Sequence, residues 1–188
     1  MTSYLGDNLD ILLGREFLTW LWYRGETSSG MFRFSGSKND DDVFFVTLEQ
    51  RLTVTGGEGD HKETASVSGS FSPLLEARAG LSAGKQVNRA LIRFVRGELD
   101  WQMTLNAESL RINALKTPPQ SKQEEDDDPD AFFLEKMYLI EQAMILFNET
   151  YKQFLNVRLS PKDWNLEVKN IQEWIRHDVS EGAFAPQE

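Results

Sequence analysis

Val87-Asn88-Arg89-Ala90-Leu91-Ile92-Arg93-Phe94-Val95-Arg96-Gly97-Glu98-Leu99-Asp100-Trp101-Gln102-Met103-Thr104-Leu105 is the stretch whose reading decides the fold. Side chains along a strand point alternately to its two sides. In Val87 to Val95 the residues Ala90, Ile92 and Phe94 share one side. In Leu99 to Leu105 the residues Leu99, Trp101, Met103 and Leu105 alternate with Asp100, Gln102 and Thr104. Each segment therefore has one side for a core and one for solvent. A tight turn at Arg96-Gly97-Glu98 joins them, which predicts an antiparallel hairpin.

The same alternation spreads upstream. In Val43 to Val54, Phe44, Val46, Leu48, Leu52 and Val54 oppose Thr47, Glu49, Arg51 and Thr53. Met31 to Ser35 is expected as a shorter partner, Gly56 to Asp60 as a turn, and Thr64 to Phe71 as a third strand. A further strand is expected from Leu110 to Leu115. Ser72-Pro73 opens a short helix, with Ser72 as cap and Pro73 at the first helical position, ending around Gly80 to Gly84. Ahead of all these, Leu9, Leu12, Leu13, Phe17, Trp20 and Leu21 keep the 3.6-residue period of a helix. Asp7 or Asn8 would cap it, and it would stop near Gly25.

Downstream, Lys116 to Asp130 reads as a linker, with two prolines and the acidic run Glu124-Glu125-Asp126-Asp127-Asp128. Beyond it the period is helical. Phe133, Met137, Ile140, Met144, Phe147, Tyr151, Phe154 and Leu155 are expected to line one buried stripe. Ser160-Pro161-Lys162-Asp163 starts a second helix, lined by Trp164, Val168, Ile171 and Ile175. The chain thus reads as α+β: an antiparallel sheet of five or six strands with a packing N-terminal helix and a C-terminal helical hairpin. Its expected divisions are a sheet domain over 1–115, an acidic linker over 116–130, the hairpin over 131–178 and a tail over 179–188.

Composition narrows the function classes. A chain of 188 residues buries roughly 70% of its unfolded surface, so it needs neither disulfide nor metal staple. It contains no cysteine, which excludes thiolate zinc sites and cysteine nucleophiles. No signal-peptide pattern opens the sequence and no long apolar run suggests a membrane span, so the expected location is cytoplasmic. Thirty acidic residues against twenty Lys and Arg give a formal charge of −10. That disfavours coating nucleic acid with the whole surface but leaves room for a local basic patch.

Catalytic constellations are missing from the pattern. The two histidines, His61 and His177, lie far apart with no ligand spacing, and the glycines near Gly56 lack the Lys-Ser/Thr ending of a phosphate loop. Neither metal nor cofactor is expected, and the chain reads as non-enzymatic. The cations carry more information. Lys85, Arg89 and Arg93 are expected to share one face of a strand, with Gln86 beside them and Arg96 at the turn, in a stretch free of Asp and Glu. Such a stripe can hold phosphates without reading bases. The same residues could instead pair with Glu49, Glu98 or Asp100 across the sheet.

At these residues a family likeness enters. Leu81 to Leu91, containing Gly84-Lys85-Gln86-Val87, followed by Leu99 to Leu105 and Leu110-Arg111-Ile112, resembles the C-terminal part of the RdgC family of bacterial recombination-associated DNA-binding proteins. Leu13 to Tyr23 and Leu134 to Glu141 are similar to segments of the same family. The resemblance implies a dimer that binds double-stranded DNA without sequence preference in the nucleoid, acting on recombinase function. It implies DNA-facing roles for Lys85 and Gln86, whereas Arg89 and Arg93 come from strand alternation. Family members are longer, and this chain lacks a counterpart of their N-terminal half. Two other readings stay open: an acidic interaction module for a recombinase or other basic partner, and a divalent-metal nuclease.

Overall fold

Hydrophobic periodicity becomes ten elements in the computed structural model, which describes residues 4–37, 42–56, 63–68, 72–120 and 129–182. They run α1 (Tyr4–Thr27), β1 (Met31–Arg33), β2 (Val43–Gly56), β3 (Glu63–Ser68), α2 (Ser72–Ser82), β4 (Gln86–Arg96), β5 (Leu99–Asn106), β6 (Arg111–Lys116), α3 (Pro129–Arg158) and α4 (Pro161–Gly182). The strands form one six-stranded antiparallel sheet in the order β1-β2-β4-β5-β6, with β3 also on β2. Strand β2 has fourteen residues because it serves three partners. It pairs with β4 along one edge, and with β1 at 43–45 and β3 at 51–56 along the other. The fold is the expected α+β arrangement. The glycine turn from residue 57 onward, His61, the linker segment 121–128 with its acidic run, and the tail from 183 lie outside the described residues.

Helix α1 differs from the expected single stripe. It starts upstream of Asp7 and passes through Gly25, ending in the turn Ser28 to Gly30. Phe17, Leu18, Trp20, Leu21 and Trp22 are all buried, too many consecutive positions for one narrow face. A helix apolar around most of its circumference is a buried one. The sheet lies on one side of α1, while Phe147, Tyr151 and Phe154 of α3 meet Phe17 on the other at ring distances of 6.1, 5.1 and 5.4 Å. Two glycines permit the close approaches. A Cβ on Gly14 would sit 1.8 Å from the carbonyl oxygen of Ala107, just after β5. Gly30 has φ of +64° and accepts a 2.7 Å hydrogen bond from the Val46 amide, with no room for a side chain.

The tail forms the expected two helices, and Ser160 caps α4 by accepting from the Asp163 amide at 3.5 Å. The buried stripe of α3, however, is Leu139, Ala143, Leu146, Phe147, Thr150 and Phe154. Phe133, Met137 and Met144, expected inside, are exposed. The N-terminal part of α3 carries apolar residues on two sides, so periodicity alone chose the wrong one. The Trp101 indole donates to the Leu139 carbonyl at 2.9 Å, fixing α3 on the helix side of the sheet. Sheet and hairpin share one continuous core despite the linker between them.

Charges on the helix side are tied up. The Arg78 guanidinium of α2 is buried, pairs with Glu26 of α1, and lies 4.7 Å from the ring centre of Trp174 and 5.8 Å from that of Trp22. Both indoles donate to the same Glu26 carboxylate. Burial draws the Arg78 guanidinium below its usual value. Arg158 pairs with Glu16 at 2.6 Å, joining α3 to α1.

Candidate nucleic-acid interface

The helices cover one face of the sheet, and the other face is open. Which side chains point there follows from register. Ala90, Ile92 and Phe94 of β4 are buried toward the helices, as are Trp101, Met103 and Leu105 of β5. Arg89 and Arg93 therefore project from the open face together, as the alternation predicted.

Lys85 and Gln86 do not continue that row. Val87 is buried as Ala90 is, although the two differ in parity. The ladder explains it: Thr53 pairs with Arg89 but Val54 pairs with Val87, so β4 carries an extra residue at Asn88. This bulge resets the alternation. The Lys85 stem lies against Gly56 and Gly80, where a Cβ on either glycine would come within 2.7 and 3.5 Å of it. Gln86 accepts a 3.0 Å hydrogen bond from Arg15 of α1, which also meets Glu108 at 3.4 Å. Both residues line a cleft of about 210 Å³ between α1, α2 and α4, with Trp164 and Ile171 on its far wall.

Arg93 realises the pairing alternative. Its Nε and Nη2 reach Asp100 Oδ2 at 2.9 and 2.7 Å, and Nη1 approaches Glu49 at 3.9 Å. The hydrogen bond to Asp100, then its charge, raise the Arg93 guanidinium further above its ordinary value. Arg96 likewise turns to Asp42 at 3.1 Å and lies over the Phe34 ring at 4.7 Å.

Arg89 is exposed and has no ion pair among the described residues. Register gives it company that the linear sequence hides. One cross-strand row runs Thr53, Arg89, Asn106, Arg111, and a second runs Thr47, Arg93, Gln102, Lys116. Arg111 and Lys116 of edge strand β6 are exposed and without an ion pair among the described residues. Two strand spacings separate Arg89 from Arg111, about 10 Å at the backbone. Sequence reading placed β6 correctly but missed its cations, because Arg111 and Lys116 gain meaning only beside β5.

The arrangement can hold anionic groups. Arg93 offsets one of the two charges on Asp100 and Glu49, so with Arg89, Arg111 and Lys116 these six side chains keep a positive balance, on a face that also carries Thr47, Gln102 and Asn106 and the exposed Met31 and Phe45. No cluster of three or more His, Asp or Glu suited to a metal occurs among the described residues. No helix among them is long and apolar enough to cross a membrane. Neither a protein-family profile, nor a curated protein, nor a solved structure matches this chain.

Proposed function

We propose that this chain binds the phosphate backbone of double-stranded DNA, without sequence preference and without catalysis, through the open face of its sheet. The observation that carries the reading is the set Arg89, Arg111 and Lys116, three exposed cations on β4 and β6, the strands either side of β5, on a face where Asp100 and Glu49 both contact Arg93. Phosphate contacts position a duplex without reading it, and Thr47, Gln102 and Asn106 add neutral hydrogen-bonding groups. The likeness of Gly84-Lys85-Gln86-Val87 to RdgC proteins supports DNA as the polyanion, with a nucleoid location and a recombination role. Lys85 and Gln86 line the helix-side cleft, so the contact surface proposed here rests on Arg89, Arg111 and Lys116 instead.

Fluorescence anisotropy on a labelled duplex at several salt concentrations tests this. Three phosphate contacts give a slope of log affinity against log salt of about −2.7. Replacing Arg89, Arg111 and Lys116 by Ala together should flatten the slope and weaken all duplex sequences alike. No binding at low salt, or a triple variant that binds like the parent, would sink the proposal. Incubation with magnesium should leave the duplex intact, and degradation abolished by replacing one carboxylate would move the chain to the nuclease class.

A further inference from the structure

The apolar stripe of α4 is not fully covered by the helices it faces. Trp164, Val168, Ile171 and Ile175 recur at steps of four, three and four residues, which places them on one side of the helix. Of these, Ile171 is buried, while Trp164, Val168 and Ile175 stay half-buried along the cleft of about 210 Å³ against α1 and α2. The other wall is polar and cationic, with Arg15 of α1 and Lys85, one residue ahead of Gln86, both lining it. Arg15 Nη1 donates to the Gln86 amide oxygen at 3.0 Å, a neutral acceptor that leaves the guanidinium charge in place. Its carboxylate contact, Glu108 at 3.4 Å, is long and lies at the exposed surface. Arg15 Nε has no acceptor among the described residues. Glu16, the acid on the described lining, is held by Arg158 at 2.6 Å, and Arg158 lies 5.0 Å from the ring centre of Trp164. One guanidinium thus offsets the acid and steadies the aromatic wall.

We infer that this cleft binds a small amphipathic carboxylate: a single apolar ring on a short arm, with the carboxylate at Arg15 and Lys85 and the ring against Trp164, Val168 and Ile175. Sites for small molecules combine an apolar lining with a few convergent polar groups, which is the division found here. Size selects the ring. An apolar cavity of about 150 Å³ takes up benzene, so 210 Å³ suits one ring with its arm. Chemistry selects the head. A guanidinium meets a carboxylate through two parallel hydrogen bonds, and a carboxylate that draws Arg15 toward the cleft gives Nε the acceptor it lacks. The site lies on the helix side of the sheet, so it is separate from the open face that carries Arg89, Arg111 and Lys116 and does not depend on the DNA reading.

Proton–nitrogen correlation NMR of the full chain, titrated with hydrocinnamate, reads the site through the five indole N–H signals. Trp164→Phe assigns the relevant one. The Trp164 signal should move with a dissociation constant on the order of 0.1–1 mM, the strength that about eleven non-hydrogen atoms can supply in an open site. The signal of Trp101, bonded to the Leu139 carbonyl in the core, should stay in place. The neutral primary amide of the same acid should bind roughly tenfold more weakly, and so should hydrocinnamate to Arg15→Gln. Val168→Phe fills the cleft from a half-buried position and should abolish binding with far-ultraviolet circular dichroism unchanged. Replacing Arg89, Arg111 and Lys116 together should leave the titration as it is. A Trp164 signal that stays still at concentrations roughly tenfold above that range overturns the site. So does an amide that binds as tightly as the acid, acetate that acts as strongly as hydrocinnamate, or a Val168→Phe variant that binds like the parent. Loss of binding in the open-face triple variant would place the ligand on the sheet instead and equally overturn it.

Discussion

The two faces of the central sheet use the same kinds of residue to opposite ends. On the covered face, Arg78 and Arg158 are drawn into ion pairs under aromatic rings, with indole donors completing the Glu26 carboxylate. On the open face, Arg89, Arg111 and Lys116 stand exposed without ion pairs among the described residues. A cation buried beside its partner contributes to the position of helices, and removing one member leaves the other unpaired in a poor solvent. A cation left in water contributes little to folding and keeps its field for a ligand. The difference teaches that an arginine's role here follows the layer it faces and the carboxylates it meets there, since Arg93 on the open face is held by Asp100 and Glu49 while Arg89 beside it is not.

The sharpest way to break the comparison is to disturb the covered side. Gly14→Ala would drive a methyl group into the Ala107 carbonyl, which cannot yield without moving the turn after β5. Chemical denaturation should show a loss of about 3 kcal/mol or more, at the upper end of overpacking costs. Arg78→Ala comes next, with an expected loss of about 3 kcal/mol because Glu26 stays behind partly buried. Arg78→Met should recover much of that loss by filling the space between Trp22 and Trp174, and only if Glu26→Gln accompanies it should the recovery be nearly complete.

On the open side the same measurement should hardly move. Arg89→Ala, Arg111→Ala and Lys116→Ala should each stay within about 0.5 kcal/mol of the parent in stability while lowering DNA affinity. A large stability loss at Arg89 would erase the distinction between the faces. The smallest effect concerns acid. Burial works against the Glu149 carboxylate, but hydrogen bonds from Ser35 and Gln153, with Lys152 nearby, outweigh it and hold the group below its usual range. A carboxylate depressed in the folded state stabilises fully above its unfolded value and loses that contribution as pH falls through the folded one. Glu149→Gln should therefore flatten slightly the decline in stability below about pH 4, a region set by the ordinary glutamate value.

Much of this was legible in the chain. Alternation in Val43 to Val54 and Leu99 to Leu105 gave the strands their inward sides, and the Ser160-Pro161 pair located the start of α4. Three features escaped for physical reasons. The bulge at Asn88 is a fact of pairing, since an extra residue is visible only against a partner strand, and it carried Lys85 and Gln86 away from Arg89. Arg111 and Lys116 join the basic surface through strand order, which no local pattern encodes. In α3 two apolar faces compete, and a helical period cannot say which of them meets the body.

The cage around Arg78 has a consequence for observation. Trp22 and Trp174 meet edge to face at 5.3 Å, close enough for their excited states to couple. The guanidinium beside Trp174 adds a fixed local field to the indole's emission. Since Trp174 belongs to α4 and Trp22 to α1, departure of the last helix would dissolve the coupled pair and shift the emitted colour even with the sheet intact. The protein thereby carries its own optical gauge of whether its C-terminal helix is seated.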